Sequence, residues 1–217
     1  MKILGGMKTK LAFYSHLFFI VLFSLAACGG SKTYWLNLRP YPAAIQGETT
    51  KLTVGIVPFE DARPASQRLG VRVLSSGKEE PIRLDSLSVS EDVTHILRHI
   101  LKARKIRVVE MSRWEPAPQN FKEIPEEVDI AIAGRIETLE VKAQSSTFKS
   151  TIRYGVKVSA GLGFKAQEKV VTRIIEVRPE ETVIGFNREK VEKSLNEAVT
   201  SALSRLVEAA LSAAKQA

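Results

Sequence analysis

His95 and His99 stand four residues apart, the spacing that aims two imidazoles of one helix at a single metal ion. The chain has three histidines and one cysteine, and the third histidine, His16, lies in a remote apolar run. With Arg98 and Lys102 beside them, the pair reads as a solvated helix flank. Asp61 and Arg63, with Glu60 alongside, follow a buried-strand pattern, and loops after such strands are where function concentrates. A carboxylate pair there would do acid–base work, but no His, Cys or serine-elbow motif is near in sequence, so an Asp–Arg loop staple is expected. Gly161-Leu162-Gly163-Phe164-Lys165-Ala166 has the GxGxxA spacing of a dinucleotide turn. That turn works where its glycines open a helix whose N-terminus holds the pyrophosphate. Here β-branched residues follow, Val170 to Ile175, so the glycines are expected to bend an edge or to admit close backbone approach. No catalytic set and no metal set emerges, no cofactor is expected, and the chain is expected not to be an enzyme.

The single cysteine, Cys28, ends a segment unlike the rest. Lys2, Lys8 and Lys10 supply positive charge with no acid before Cys28. Leu11 to Ala27 is apolar except for Ser15, His16 and Ser24, and small residues close the run at Leu25-Ala26-Ala27-Cys28. A basic start, an apolar stretch and a small-residue end make a secretory signal peptide. Met7 is a second candidate start. The terminal Leu-Ala-Ala-Cys resembles the bacterial lipobox, whose chemistry implies a diacylglyceryl thioether on Cys28 and a further acyl chain, palmitate-like, on its new amino group. Two or more such chains turn marginal membrane contact into stable anchoring. Gly29 follows, not aspartate, which in lipoproteins favours the outer membrane, with the domain facing the periplasm. The domains expected are a signal peptide over 1–27, a lipidated tether and extension over 28–50, and one periplasmic domain over 51–217.

The chain carries 32 Lys and Arg against 24 Asp and Glu over 217 residues, a net charge of +8, and loss of the leader's three lysines lowers this to +5. One cysteine excludes an internal disulfide framework. Interleaved aromatic and basic residues of the nucleic-acid type are absent, and the leader removes the chain from nucleic acid. Trp35 and Trp114 are isolated and read as packing residues.

The elements that position these groups follow from periodicity. Short strands are expected at Tyr34–Leu38 and Ile106–Met111, a buried strand at Lys51–Phe59, and a hairpin around Ser75-Ser76-Gly77-Lys78. Ser88 and Glu91 form a capping box ahead of an apolar face of Val93, Ile96, Leu97, Ile100 and Leu101. Residues 112–127, with three prolines, read as a surface loop. Val128, Ile130, Ile132 and Ile136 then share one parity while Leu139, Val141 and Ala143 take the other, a phase switch that predicts a β-bulge near Glu137-Thr138. Next, Phe148, Ile152, Tyr154, Val156, Val158 and Ala160 face one way. Lys149, Arg153 and Lys157 face the other and form a candidate contact for anionic lipid. Strands at Lys169–Val177 and Glu181–Phe186 are expected to be joined by a turn. Ser194 and Glu197 predict a second capping box ahead of a final amphipathic helix. The fold class expected is α+β: a two-layer sandwich of a mostly antiparallel sheet with two amphipathic helices on one face.

Several of these pieces in order resemble the YajG-like family of bacterial lipoproteins and, more loosely, transport-auxiliary outer-membrane lipoproteins. They are the lipobox at Cys28, Val54-Gly-Ile-Val-Pro-Phe-Glu-Asp-Ala-Arg63, the helix Val93–Leu101 leading to Val108-Val109, Asp129-Ile-Ala-Ile132, the long strand through Tyr154, and the last helix. In such proteins a glycine commonly separates the first helix from the next strand, where this chain has Lys105-Ile106. The resemblance implies a non-enzymatic accessory or interaction module of the cell envelope, held to the membrane through Cys28 and working with an envelope protein partner. The alternative it implies is a lipid- or substrate-binding auxiliary subunit of an envelope transport system. It transfers no catalytic residue.

Overall fold

The two longest runs of alternating hydrophobicity become the two longest strands, β6 (Ile130–Ser145) and β7 (Lys149–Phe164). They pair antiparallel in a computed structural model that describes residues 32–42, 51–64 and 69–215. The phase switch is a β-bulge: Ile136 faces Val158 and Thr138 faces Lys157, which leaves Glu137 as the extra residue. Two expected positions differ. Val128 precedes β6 and joins an apolar cluster on the opposite side of the sheet. Phe148 sits in the turn before β7, outside the strand's alternation, and is 80% exposed.

β8 (Lys169–Val177) and β9 (Glu180–Ile184) both run antiparallel along β7, β8 against Val156–Phe164 and β9 against Lys149–Arg153. Arg178-Pro179 is therefore an interruption in one edge and not a reversal. The Pro179 carbonyl still accepts from the Tyr154 amide at 3.0 Å.

The other edge of β6 is shared between β2 (Thr53–Asp61) and β3 (Gly70–Val73), both parallel to it. β4 (Glu79–Leu84) returns antiparallel from β3 through the expected turn, where Gly77 has a φ of 79°. β5 (Arg107–Glu110) lies parallel to β2. The sheet is mostly antiparallel by ladder length, as expected, but its N-terminal half adds parallel pairings, because a helical crossover separates β2 from β5. β1 (Tyr34–Leu36) pairs parallel with β4 and buries Tyr34 and Leu36. Residues 34–36, within the stretch expected as tether and extension, thus form the expected short strand and join the sheet.

α1 (Val89–Ala103) begins as predicted, with the Ser88 hydroxyl accepting from the Glu91 amide at 3.2 Å. It also repairs a defect in β2. Pro58 lies at a register shift between Val57 and Glu60, and the freed Phe59 amide donates to the Thr94 hydroxyl at 2.9 Å while Ser90 donates to the Phe59 carbonyl. At the other end, Lys105 takes a left-handed φ of 58°. Its amide donates to Lys102 at 2.9 Å, and that of Ile106 to Leu101 at 3.0 Å, the paired bonds of a glycine-type helix stop.

α2 (Arg188–Lys215) starts six residues before the predicted capping box, so Ser194 and Glu197 lie inside it. The cap is Asn187, whose side-chain oxygen accepts from the Lys190 amide at 3.0 Å. The two helices touch each other and cover one face of the sheet. There Ile96, Leu97, Leu203 and Leu206 share one apolar core with Ile152, Tyr154, Val156 and Val158. On the far face, the segment expected to be a surface loop contains a 3₁₀ turn (Pro118–Glu123) and buries Trp114, Phe121 and Ile124 against Met111, Val128 and Ala131. Gly161 and Gly163 make this possible. A Cβ would lie 2.2 Å from Pro116 at the first and 2.6 Å from the Trp114 ring at the second, the close approach expected of that GxG.

Candidate functional site

Cys28 lies outside the described residues, so the site can be built only from where the chain enters the domain. Residues 37–41 are strapped to α2 by side chains one helical turn apart. The Asn37 amide donates to Glu192 at 3.0 Å, the Arg39 amide to Asn196 at 2.9 Å, and the Tyr41 amide to the Thr200 hydroxyl at 3.1 Å. The Arg39 guanidinium also pairs with Glu192. Burial pushes the Glu192 carboxyl up, but the donors from Arg39 and Asn37 outweigh it and hold it below the ordinary range. The same end of the sheet has a polar knot. Arg72 donates to the Tyr34 hydroxyl at 2.7 Å, to Glu80 at 3.0 Å and to Ser145 at 2.8 Å, and Ser145 lies 2.7 Å from Ser150. It ties β1, β3, β4, β6 and β7 together.

Lys149, Arg153 and Lys157 share the sheet face turned away from the helices. Two are matched there: Arg153 meets Glu180 at 2.6 Å and Lys157 meets the bulged Glu137 at 2.6 Å. The Lys157 bond lowers the Glu137 pKa, and the same bond raises that of Lys157. Lys142–Glu140 and Arg178–Glu176 continue the lattice. Lys149 has no ion pair among the described residues, so the basic stripe is mostly an alternation of signs.

Arg63 holds Asp61 through two parallel bonds of 2.8 Å and keeps its carboxyl below the usual range, the staple expected. His95 and His99 are exposed on α1, and among the described residues no group of three His, Cys, Asp or Glu side chains is arranged to hold a metal ion. Trp114 is buried, whereas Trp35 is 47% exposed under the Arg83 guanidinium. Burial and the bond to Glu181, at 2.6 Å, raise the Tyr154 pKa. Burial pushes Glu181 up as well, but the Tyr154 and Ser194 hydroxyls and Lys190 outweigh it.

An open groove runs between the 3₁₀ segment and the far face of the sheet, lined among others by Glu60, Arg113, Trp114, Arg135, Ser159 and Thr172. Sequence reasoning missed it, although three bulky apolar residues within a proline-rich loop, Trp114, Phe121 and Ile124, were a signal that the loop had something to cover.

No protein-family model matches the chain. No curated protein matches it either. Its fold is that of a solved structure: protein XCC0632 from Xanthomonas campestris, of the DUF330 family, superposes with a TM-score of 0.54 at 13% identity, over 86% of this chain and 98% of that one. Lipoprotein GNA1162 from Neisseria meningitidis superposes more loosely, with a TM-score of 0.31 at 11% identity, over 76% of this chain and 99% of that one. Among the described residues, no helix is long and apolar enough to cross a membrane.

Proposed function

We propose that this is a non-enzymatic lipoprotein of the bacterial outer membrane, anchored by acyl chains on Cys28 and facing the periplasm as an accessory or interaction module. The observation that carries the reading is the position of the only cysteine. It ends a basic-then-apolar leader after Leu25-Ala26-Ala27, five residues ahead of a folded domain that begins at Thr33. The second reading, a lipid- or substrate-binding auxiliary subunit of an envelope transporter, is favoured by the groove beneath Trp114 and Asn120. Of the three stripe cations, Lys149 is the one free to meet anionic headgroups. Density-gradient separation of cell envelopes tests the reading. The full chain is expected in the outer-membrane fraction, and the Cys28→Ser chain outside it. Migration of the full chain with the inner membrane, or with the soluble fraction, overturns it.

A further inference from the structure

We propose that the turn end of the β6–β7 hairpin docks on the bilayer, with Phe148 and Ile184 entering the boundary between headgroups and acyl chains. The proposal rests on the lipid-anchor reading above. Five large apolar side chains are exposed among the described residues, and two of them meet at this end: Phe148 at 80% and Ile184 at 96%. Contacts between distant parts of the sequence make them neighbours. Ile184 is the register partner of Lys149, and the Gly185 amide donates to the Phe148 carbonyl at 3.3 Å. Two residues beyond Ile184, the Phe186 ring meets Tyr34 at 4.7 Å, and Arg188 donates to the Trp35 carbonyl at 3.0 Å.

Chain length decides what covers this patch. The five residues from Cys28 to Thr33 span at most about 18 Å when fully extended. Cys28 is held at the membrane surface by its acyl chains, so Thr33 stays within that distance of the bilayer, and the contact of Tyr34 with Phe186, two residues from Ile184, keeps the hairpin's turn end on the same side of the domain. Aromatic and apolar residues flanked by cations are what an anionic interface takes up, and Lys149 and Arg188, one and four residues along the chain from Phe148 and Ile184, are exposed. The β6–β7 hairpin, 16 residues a strand, extends about 50 Å from its tip at Phe148. Docking at the tip therefore carries the groove beneath Trp114, near the other end of the hairpin, out towards the periplasm.

The test uses full-length acylated chain in vesicles of phosphatidylethanolamine and phosphatidylglycerol with brominated acyl chains, which quench tryptophan on contact. Phe148→Trp and Ile184→Trp place reporters in the patch, and Leu87→Trp places one at an exposed site outside it; all three positions are exposed, so folding is not at stake. The emission added by Phe148→Trp and Ile184→Trp is expected to fall at least twofold relative to bromine-free vesicles, with that of Leu87→Trp unchanged. Equal quenching at all three sites, or none in the patch, overturns the proposal. Mass spectrometry of Cys28 on the same sample separates the two claims. An acylated chain with an unquenched patch refutes docking alone, and an unacylated chain refutes the anchor and the docking with it.

Discussion

The side-chain amide of Asn196 holds the backbone on either side of Leu38, donating to the Asn37 carbonyl at 2.9 Å and accepting from the Arg39 amide at 2.9 Å. A helix side chain thus completes the hydrogen bonding of a segment that has left the sheet, with Glu192 and Thr200 doing the same one turn to either side. This strap holds the chain just after β1, while the pairing of β1 with β4 fixes the point from which any tether departs. Asn196→Ala should cost about 1–3 kcal/mol, because two backbone groups lose their partners. A melting temperature equal to that of the unsubstituted chain would show that the strap does not hold.

Glu192 adds a pH dependence whose sign follows from its lowered pKa. A carboxylate depressed in the folded state stabilises it above the ordinary range, which for Glu centres on about 4.3, and that contribution is lost as pH falls through the folded value. Glu192→Gln should therefore cost about 1.5–3 kcal/mol at pH 7, and the gap should narrow by pH 3. Melts of both chains from pH 3 to 7 check it; a gap that widens towards acid has the wrong sign.

Lys105 occupies a left-handed position at the end of α1 that glycine fills without strain. Lys105→Gly should stabilise the fold by about 1 kcal/mol and raise the melting temperature by about 2–4 °C. A lower melting temperature would mean that the lysine side chain contributes more than its backbone costs.

Alternation along β7 places Val156 in the core at 2% exposure and Lys157 on the opposite face. Val156→Asp buries an unpaired charge and should cost about 3 kcal/mol or more. Lys157→Gln should leave the melting temperature nearly unchanged, since an ion pair at the protein surface contributes little. Similar losses for the two would invert the strand.

Period-two and helical-period patterns were enough to find β6, β7, α1 and the bulge at Glu137, because each rests on local side-chain direction. What local pattern does not hold is pairing. That β8 and β9 share one edge of β7, and that β2 and β3 share one edge of β6, depends on strand lengths that only the assembled sheet fixes. Capping failed for α2 because Ser194 and Glu197 match a motif that also fits inside a helix, while Asn187 caps alone. Phe148 was misplaced because alternation was extended through a turn. The exposed turn end of the hairpin leaves no local pattern, since Phe148 and Ile184 meet only through a long-range contact. The Arg72 knot left no periodic trace at all.

The anchor is tested most directly at Cys28 itself. Cells fed an alkyne analogue of palmitate should label the unsubstituted chain. The Cys28→Ser chain should carry no label and should accumulate uncleaved or as a soluble periplasmic form. Undiminished label on Cys28→Ser would contradict acylation at this cysteine, and with it the reading of the domain as one held at the membrane by lipid.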